Sequence, residues 1–431
     1  MTEREILQYT LQKLEAAGAQ AAHCSLLRST KQEMNVEAGQ MSLIRTVFST
    51  NLHLMAIKEQ RKGTYTINKL DLASIDKGIL EVIEIAESSE PDSANGIADF
   101  QAPQKFTVGD TEPDLDGMYE RLNAFLETVK ERYPSIMLEN VYLDFTHYNS
   151  FFMNSNGVDF TTSKGMYHFS AMFAGKEGEK SSSFNYSGFA TKELDKALIE
   201  GGSLDLLLQQ SCEQVNTQSF AGKFTGDVIV TPDCLGDFIG TFLDISIRDG
   251  ALIAGTSVYK ERIGKQIADS QLTVHSKPIA DEIIDGYFLT SDGYKASNST
   301  IIDKGVLTTF LLSLYGANKT GLDRAVNSGG CYVIEPGNTE LAEMVRNVDR
   351  GILLARYSGG YPSQDGDFSG VAKNSYYIEN GEIKYPITET MIAGNIAEML
   401  LNVKDVSRER ISFGNAIVPW ICFSGVTISG K

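Results

Sequence analysis

TGDVIVTPDCLGDFIGTFLDISIRDGALIAGTSVY, residues 225–259, is the stretch on which the reading of this chain turns. TGDVIV reads as a strand. Thr231 then stands as a helix N-cap with Pro232 in the first turn, where a missing backbone N–H costs nothing. Leu235, Phe238, Ile239, Phe242 and Ile245 follow at helical spacing and predict one apolar stripe packed on a core. The segment runs out in a glycine-bounded turn at Gly255. Many enzymes carry their reactive groups on such a strand–helix–turn unit. Here residues 240–259 hold no His, no Cys and no Ser in a nucleophile setting.

Downstream, two hairpins are marked by their turns. NSTIIDKGVLTTFLL (298–312) turns at Asp303-Lys304-Gly305, and NSYYIENGEIKYPI (374–387) at Asn380-Gly381, a favoured type I′ pair. Helices are predicted over 339–346 and 389–401, and 411–430 ends as strands. Residues 223–431 thus read as a C-terminal, mainly antiparallel, β-rich domain with helices. Within it, ARYSGGYPSQDGDFSGVAKNSYYIENG (355–381) interleaves glycines with aromatics. Two readings stand for it. One is a long irregular loop. The other is a surface at Gly359, Gly360, Tyr361 and Gly366 where an extended peptide or partner strand docks by main-chain hydrogen bonds.

Upstream, residues 3–17 carry a helical pattern. AHCSLLRST, KQEMNVEAG, TNLHLMAIKEQ and GTYTINKL read as strands with a turn at Lys62-Gly63, and 71–88 is a helix started by Asp71. Residues 89–113 gather Pro, Gly, Ser and Asp and read as a linker or crossover. The order then repeats: helix at 115–133, strands over 136–175 and in SSSFNYSGFA, helix at 192–215. EMNVEAGQM at 33–41 even resembles FMNSNGVDF at 152–160. The N-terminal region is therefore α+β, with subdomains 1–88 and 114–222 that fit an internal duplication or two unrelated stretches sharing a short match. The whole chain is assigned to the α+β class.

The net charge of -18, from 38 basic against 56 acidic residues, opposes binding to nucleic acid, whose affinity comes from neutralising phosphates. No run of eighteen apolar residues offers a membrane span, and the charged start predicts no leader peptide. Cys24, Cys212, Cys234, Cys331 and Cys422 are odd in number and scattered, as expected of reduced thiols in a cytoplasmic protein.

Motifs for chemistry are missing. His23, His53, His147, His168 and His275 never pair at metal-binding spacing, and each reads as a structural, hydrogen-bonded imidazole. No G-x-S-x-G elbow, C-x-x-C or phosphate loop occurs. A Cys–His pair of Cys331 or Cys422 with His275 has no local support. Asp365-Gly366-Asp367 reads as a turn, lacking the spaced ligands of a calcium loop.

GTSVYKERIGKQI (255–267), STIIDKGVLTTFLLSLYGANKTGL (299–322) and SYYIENGEIKYPITETMIAGNIAEML (375–400) resemble the TldD/PmbA family, once called modulators of DNA gyrase. The resemblance extends along essentially the whole chain. It implies two kinds of subunit. The TldD kind is a zinc peptidase with an HExxxH helix just before the GTSV-like turn and a Cys-Gly near the C-terminus. The PmbA or TldE kind lacks these ligands and acts as its partner. In this chain Gly240 and Ile245 stand about where the histidines fall, and Phe413-Gly414 where Cys-Gly is expected. The resemblance therefore implies no catalytic residue, no metal ligand and no cofactor in this chain, with zinc in a TldD-like partner and unfolded peptides as substrates. A homodimer, a self-sufficient peptidase with an unrecognised site, and a non-enzymatic regulatory binding protein are the alternatives.

Overall fold

In the computed structural model, residues 1–388 and 390–430 are described. Helix α1 (Glu3–Ala16) opens in a capping box, Thr2 accepting from the Glu5 N–H and Glu5 accepting from the Thr2 N–H. Strands β1 (Ala21–Glu37), β2 (Gln40–Lys58) and β3 (Arg61–Ile67) follow, then α2 (Leu72–Ser88), whose first turn donates the Ser74 N–H to Asp71. Next come β4 (Gln104–Val108), α3 (Leu115–Arg132), the long strands β5 (Ile136–Asn154) and β6 (Asp159–Glu177), β7 (Lys180–Ser181), β8 (Asn185–Thr191) and α4 (Leu204–Glu213). Strands β1 to β8 build one sheet in the order β3-β2-β1-β5-β6-β4, with β7 and β8 also on β6.

The seam of this sheet is the antiparallel pair β1–β5, unbroken from His23↔Asn154 to Glu37↔Asn140. It explains why the short strands read at the N-terminus merge into long ones. Each half is a helix, a long hairpin, a shorter outer strand and a helix, laid out symmetrically about the seam. The two similar phrases, 33–41 and 152–160, occupy the corresponding hairpin turns. Side-chain alternation sends Ala22, Cys24 and Leu26 against α1 and α2, and Met34 and Val36, on the same face, against α3 and α4. On the opposite face, His23, Ser25, His53 and Met55 look toward residues 289–292 and 313–315 of the second half.

The Lys62-Gly63 turn is not formed. The turn lies at Glu59-Gln60, both at positive φ (51° and 64°), and Gly63 sits inside β3. A Cβ there would lie 2.1 Å from the Val82 carbonyl oxygen, so the glycine serves the close approach of α2 to β3.

The second sheet begins with β9 (Lys223–Val230). The helix that follows is built of α5 (Pro232–Leu235), a π turn (Gly236–Gly240) and α6 (Thr241–Ile247), with the short α7 (Asp249–Ala254) after a break at Arg248. Then come β10 (Val274–Ser276), β11 (Ser299–Asp303), β12 (Val306–Leu307), α8 (Leu314–Thr320), β13 (Tyr332–Ile334), α9 (Leu341–Arg346), β14 (Arg350–Leu354), β15 (Arg356–Gly359), β16 (Asp367–Lys373), β17 (Tyr376–Glu379), β18 (Glu382–Pro386), β19 (Thr390–Asn395), α10 (Ile396–Leu401), β20 (Val403–Ser412) and β21 (Ile417–Ser429). The main path is β12-β11-β10-β13-β21-β9-β14-β17-β18. Both expected hairpins form, with Lys304-Gly305 and Asn380-Gly381 at positive φ. The helix expected over 389–401 starts only at Ile396. Residues 390–395 form β19 between β16 and β21, Asn395 caps α10 through the Glu398 N–H, and Glu389 lies outside the described residues. The resulting architecture is α+β, with mixed but mainly antiparallel sheets. Among the described residues no helix is long and apolar enough to cross a membrane.

Gly63→Ala is expected to force α2 away from β3. Urea unfolding followed by circular dichroism should register a loss of about 1–3 kcal/mol, the usual range for overpacking.

Candidate functional site

The helix over 232–247 is aimed by its first residues. Thr231 is extended (φ -74°, ψ 158°) and Pro232 opens the helix. The Thr231 hydroxyl donates to the Ala355 carbonyl (3.2 Å) instead of capping the turn, which ties the helix start to the end of β14. The π turn then holds one more residue than an α turn, and this advances the phase of everything after it. Leu235, Phe238, Ile239 and Phe242 are buried as expected. Beyond the π turn Phe242, Leu243, Ser246 and Ile247 are buried, while Ile245 is only half-buried.

The outer side of this helix walls a cleft of about 460 Å³. Asp233, Gly236, Gly240 and Leu243 face it from the helix. Tyr332, Ile334 and Val418 come from β13 and β21, Phe413 and Ala416 from the β20–β21 turn, and Tyr186, Ser187 and Gly188 from β8 of the first sheet. A Cβ on Gly240 would approach only the Tyr332 ring, at 4.0 Å, so packing does not demand glycine there. Two carboxylates lie near. Asp233 accepts from the Ser187 hydroxyl (3.0 Å), and desolvation raises its pKa. Asp244 accepts from the Tyr332 hydroxyl (2.7 Å) and from Arg248 Nε (3.0 Å).

The glycine-rich stretch is not one irregular loop. It folds into β15 and β16, with β15 paired to β16 alone among the described residues. The Tyr357 ring lies across both strands, and a Cβ on Gly359 or Gly370 would come within 2.2 or 2.4 Å of it. Gly359, Gly360 and Tyr361 emerge exposed at the end of this edge strand and border a hollow of about 370 Å³ next to Thr241. Gly366 is apart from them. It is buried at positive φ (95°), and its carbonyl accepts from the Ile396 N–H (2.8 Å).

Comparison with known proteins matches residues 222–430 to the family model described as PmbA/TldA metallopeptidase C-terminal domain. A "Metalloprotease PmbA homolog" of Haemophilus influenzae is 23% identical over 98% of this chain and 97% of its own length. "Metalloprotease PmbA" of Escherichia coli O157:H7 is 24% identical over the same shares, 98% and 97%. Residues 222–430, just under half of the chain, match the TldD/PmbA family, and relatives named for that family align with nearly its whole length. In fold it is similar to the crystal structure of TldE from Thermococcus kodakarensis, with a TM-score of 0.83 at 18% identity, covering 99% of this chain and all of that one.

The TldD/PmbA frame makes the donor set of the cleft a specific question. Zinc requires imidazole, thiolate or carboxylate groups converging at about 2 Å. Gly240 and Phe413 both border the cleft, and neither can donate. Ile245 is half-buried against the core. Asp244 is bound by Tyr332 and Arg248, and Asp233 by Ser187. Among the described residues no group of three or more His, Cys, Asp or Glu is placed to hold a metal ion. The described residues of the cleft do not fit zinc. What this chain retains there is a shaped, largely apolar hollow closed by residues from both sheets. The Ser187–Asp233 and Tyr332–Asp244 contacts were invisible in the sequence, because they join residues 46 and 88 positions apart.

The remaining candidates stay separate. His275 is held between Thr300 Oγ1 (2.9 Å) and Glu335 Oε1 (3.0 Å), so it does not activate Cys331 or Cys422. Burial pushes the Cys331 thiol up to about 11 and the Cys422 thiol up to about 12. Burial lowers His23 to about 4 beside His53, and His147 meets Ser163 Oγ (3.0 Å). His168 differs from these. It lies between Asp144 (3.5 Å) of the first sheet and Asp285 (3.4 Å) of the β10–β11 connection, and these carboxylates raise it to about 9.

A histidine whose folded pKa lies above its unfolded value near 6.5 stabilises fully below that value. The contribution of His168 fades as pH rises and is lost through about 9. The melting temperature of the native chain should therefore fall between pH 6.5 and 9.5 by more than that of His168→Asn, and thermal melts across this window check it.

Proposed function

We propose that this chain is a PmbA/TldE-type subunit that carries no zinc of its own and works in the cytoplasm beside a TldD-like zinc peptidase. The observation that carries the reading is the chemistry of the cleft. Where the family resemblance implies ligands stand Gly240, Ile245 and Phe413-Gly414, and the neighbouring carboxylates are already engaged by Ser187, Tyr332 and Arg248. The names of the relatives, metalloproteases of the PmbA kind, support a place in proteolysis.

On this reading the subunit contributes shape. It walls a cavity shared with the partner and aligns unfolded peptide chains for cleavage there. The outer edge of β15 is the docking surface, with Gly359, Gly360 and Tyr361 offering main-chain groups to an extended strand. Gly366, buried and bonded to the Ile396 N–H, is no part of that surface.

The test combines the purified chain with a TldD-like subunit from the same organism. The expected outcome is a mixed complex on size exclusion, hydrolysis of casein or short peptides only when both chains are present, and zinc that follows the partner in metal analysis. No association, with the partner fully active alone, refutes the proposal. Stoichiometric zinc and peptide hydrolysis by this chain by itself would instead identify a self-sufficient peptidase.

A further inference from the structure

A single carboxylate borders the cleft beside the helix over 232–247. Asp233 stands in the first turn of that helix, and among the described lining residues there is no lysine, arginine or histidine. Its Oδ1 accepts from the Ser187 hydroxyl (3.0 Å). Ser203, the other hydroxyl near it, makes no hydrogen bond. Asp244, by contrast, has Arg248 as its counter-ion (3.0 Å). Around Asp233 the walls are apolar. Leu235, Ile239, Leu243, Ile334 and Val418 line them, and the rings of Tyr186 and Phe413 stand at the border. Leu235, Ile239 and Leu243 are at most 3% exposed, so these walls belong to a packed frame. A carboxylate with so few donors in such surroundings is costly to keep ionised.

We infer that this cleft receives a lysine side chain of a bound peptide, its ammonium on Asp233 and its methylene stem along the apolar walls. The inference rests on the proposed peptide-aligning role and names the side chain that the role selects. Apolar walls alone suit any aliphatic side chain. The carboxylate decides for a cation, because a bound ammonium supplies the counter-ion that the described lining residues do not. The border rings of Tyr186 and Phe413 favour a cation further. Lysine fits better than arginine. Ser187 already holds Oδ1, so a guanidinium fork seeking both oxygens would compete with it. An ammonium is a compact charge that needs only the other oxygen. The net charge of -18 draws basic chains toward the surface. The cleft is also within reach of the proposed docking edge. Gly240 borders the cleft, and the next residue, Thr241, borders the hollow at Gly359, Gly360 and Tyr361. A strand docked on β15 can therefore send one side chain past Gly240, where no Cβ stands in the way.

Fluorescence anisotropy on the full chain tests it, in about 0.3 M salt to screen the surface field. The probes are unfolded Gly/Ser peptides with blocked termini and one central lysine, norleucine or arginine. The native chain should bind the lysine peptide about tenfold or more tighter than the norleucine peptide. Asp233→Asn keeps an acceptor for Ser187 and should erase that preference while norleucine binding stays. Gly240→Leu, at a site where a Cβ meets only the Tyr332 ring at 4.0 Å, should fill the cleft and erase it independently. Circular dichroism checks that both variants fold. A native chain that binds norleucine or arginine as tightly as lysine, or binds none of them, overturns the inference. A preference that survives Asp233→Asn does the same. Cleavage of lysine and norleucine peptides at equal rates by a mixed complex with a TldD-like chain overturns the inference yet leaves the proposed function standing. A lysine preference lost in Asp233→Asn, in a chain that joins no such partner, upholds the inference and refutes the partnership.

Discussion

The burial of one helix face governs the second half of this molecule. Phe238 meets the Tyr357 ring at 4.9 Å and the Phe368 ring edge-on at 5.1 Å, and Phe242 meets Tyr259 at 5.7 Å. Each buried phenyl contributes about 1.5–3 kcal/mol, so the rotational setting of the helix is not negotiable. The π turn arises within it, between Gly236 and Gly240, where two residues without side chains leave the backbone room to widen. That turn decides which residues look inward afterwards and which border the cleft. The same packing explains the glycines of β15 and β16. The ring that receives Phe238 lies flat on those strands and excludes any Cβ at Gly359 and Gly370.

The two sheets are held together by polar contacts. Lys164 is 4% exposed, yet it carries its ammonium to Asp285 Oδ1 (2.5 Å) and to the Gly286 carbonyl (2.6 Å). Burial works against the charged form of Asp285, but Lys164 and His168 hold it at about 2. A buried lysine without such partners would be strongly destabilising. Elsewhere between the two halves, Tyr315 donates to Asp92 (2.8 Å), Asn318 to the Ala94 carbonyl (3.0 Å), and Gln214 to the Ser375 carbonyl (2.8 Å). Hydrogen bonds are directional. The relative setting of the sheets, and with it the β8 wall of the cleft, is consequently specified more narrowly than apolar contact alone would allow.

Much of this was written locally in the sequence. Asp71, Pro232, Lys304-Gly305 and Asn380-Gly381 mark their turns and helix starts because the physics of a cap, a first-turn proline or a type I′ turn involves only neighbours. The failures have the opposite character. Gly63 looked like a turn residue, and only the approach of α2 shows it to be a contact. Thr390–Asn395 carried apolar residues at helical spacing, yet β16 and β21 capture it as a strand; the cap at Asn395 was the available signal. Ile245 lost its place through one extra residue upstream. Of the cleft, the absence of metal donors at Gly240 and Phe413 was legible. The pairing of Asp233 with Ser187 and of Asp244 with Tyr332 was not, since it depends on tertiary neighbours.

The empty space in front of Gly240 has an evolutionary consequence. Most positions on that helix are clamped by aromatic neighbours, so replacing them disturbs the frame. At Gly240 a larger side chain meets only a distant ring edge. The wall can change its chemical character by single substitutions while the scaffold persists, so divergent lineages can gain or shed donor groups at this spot without inventing a new fold.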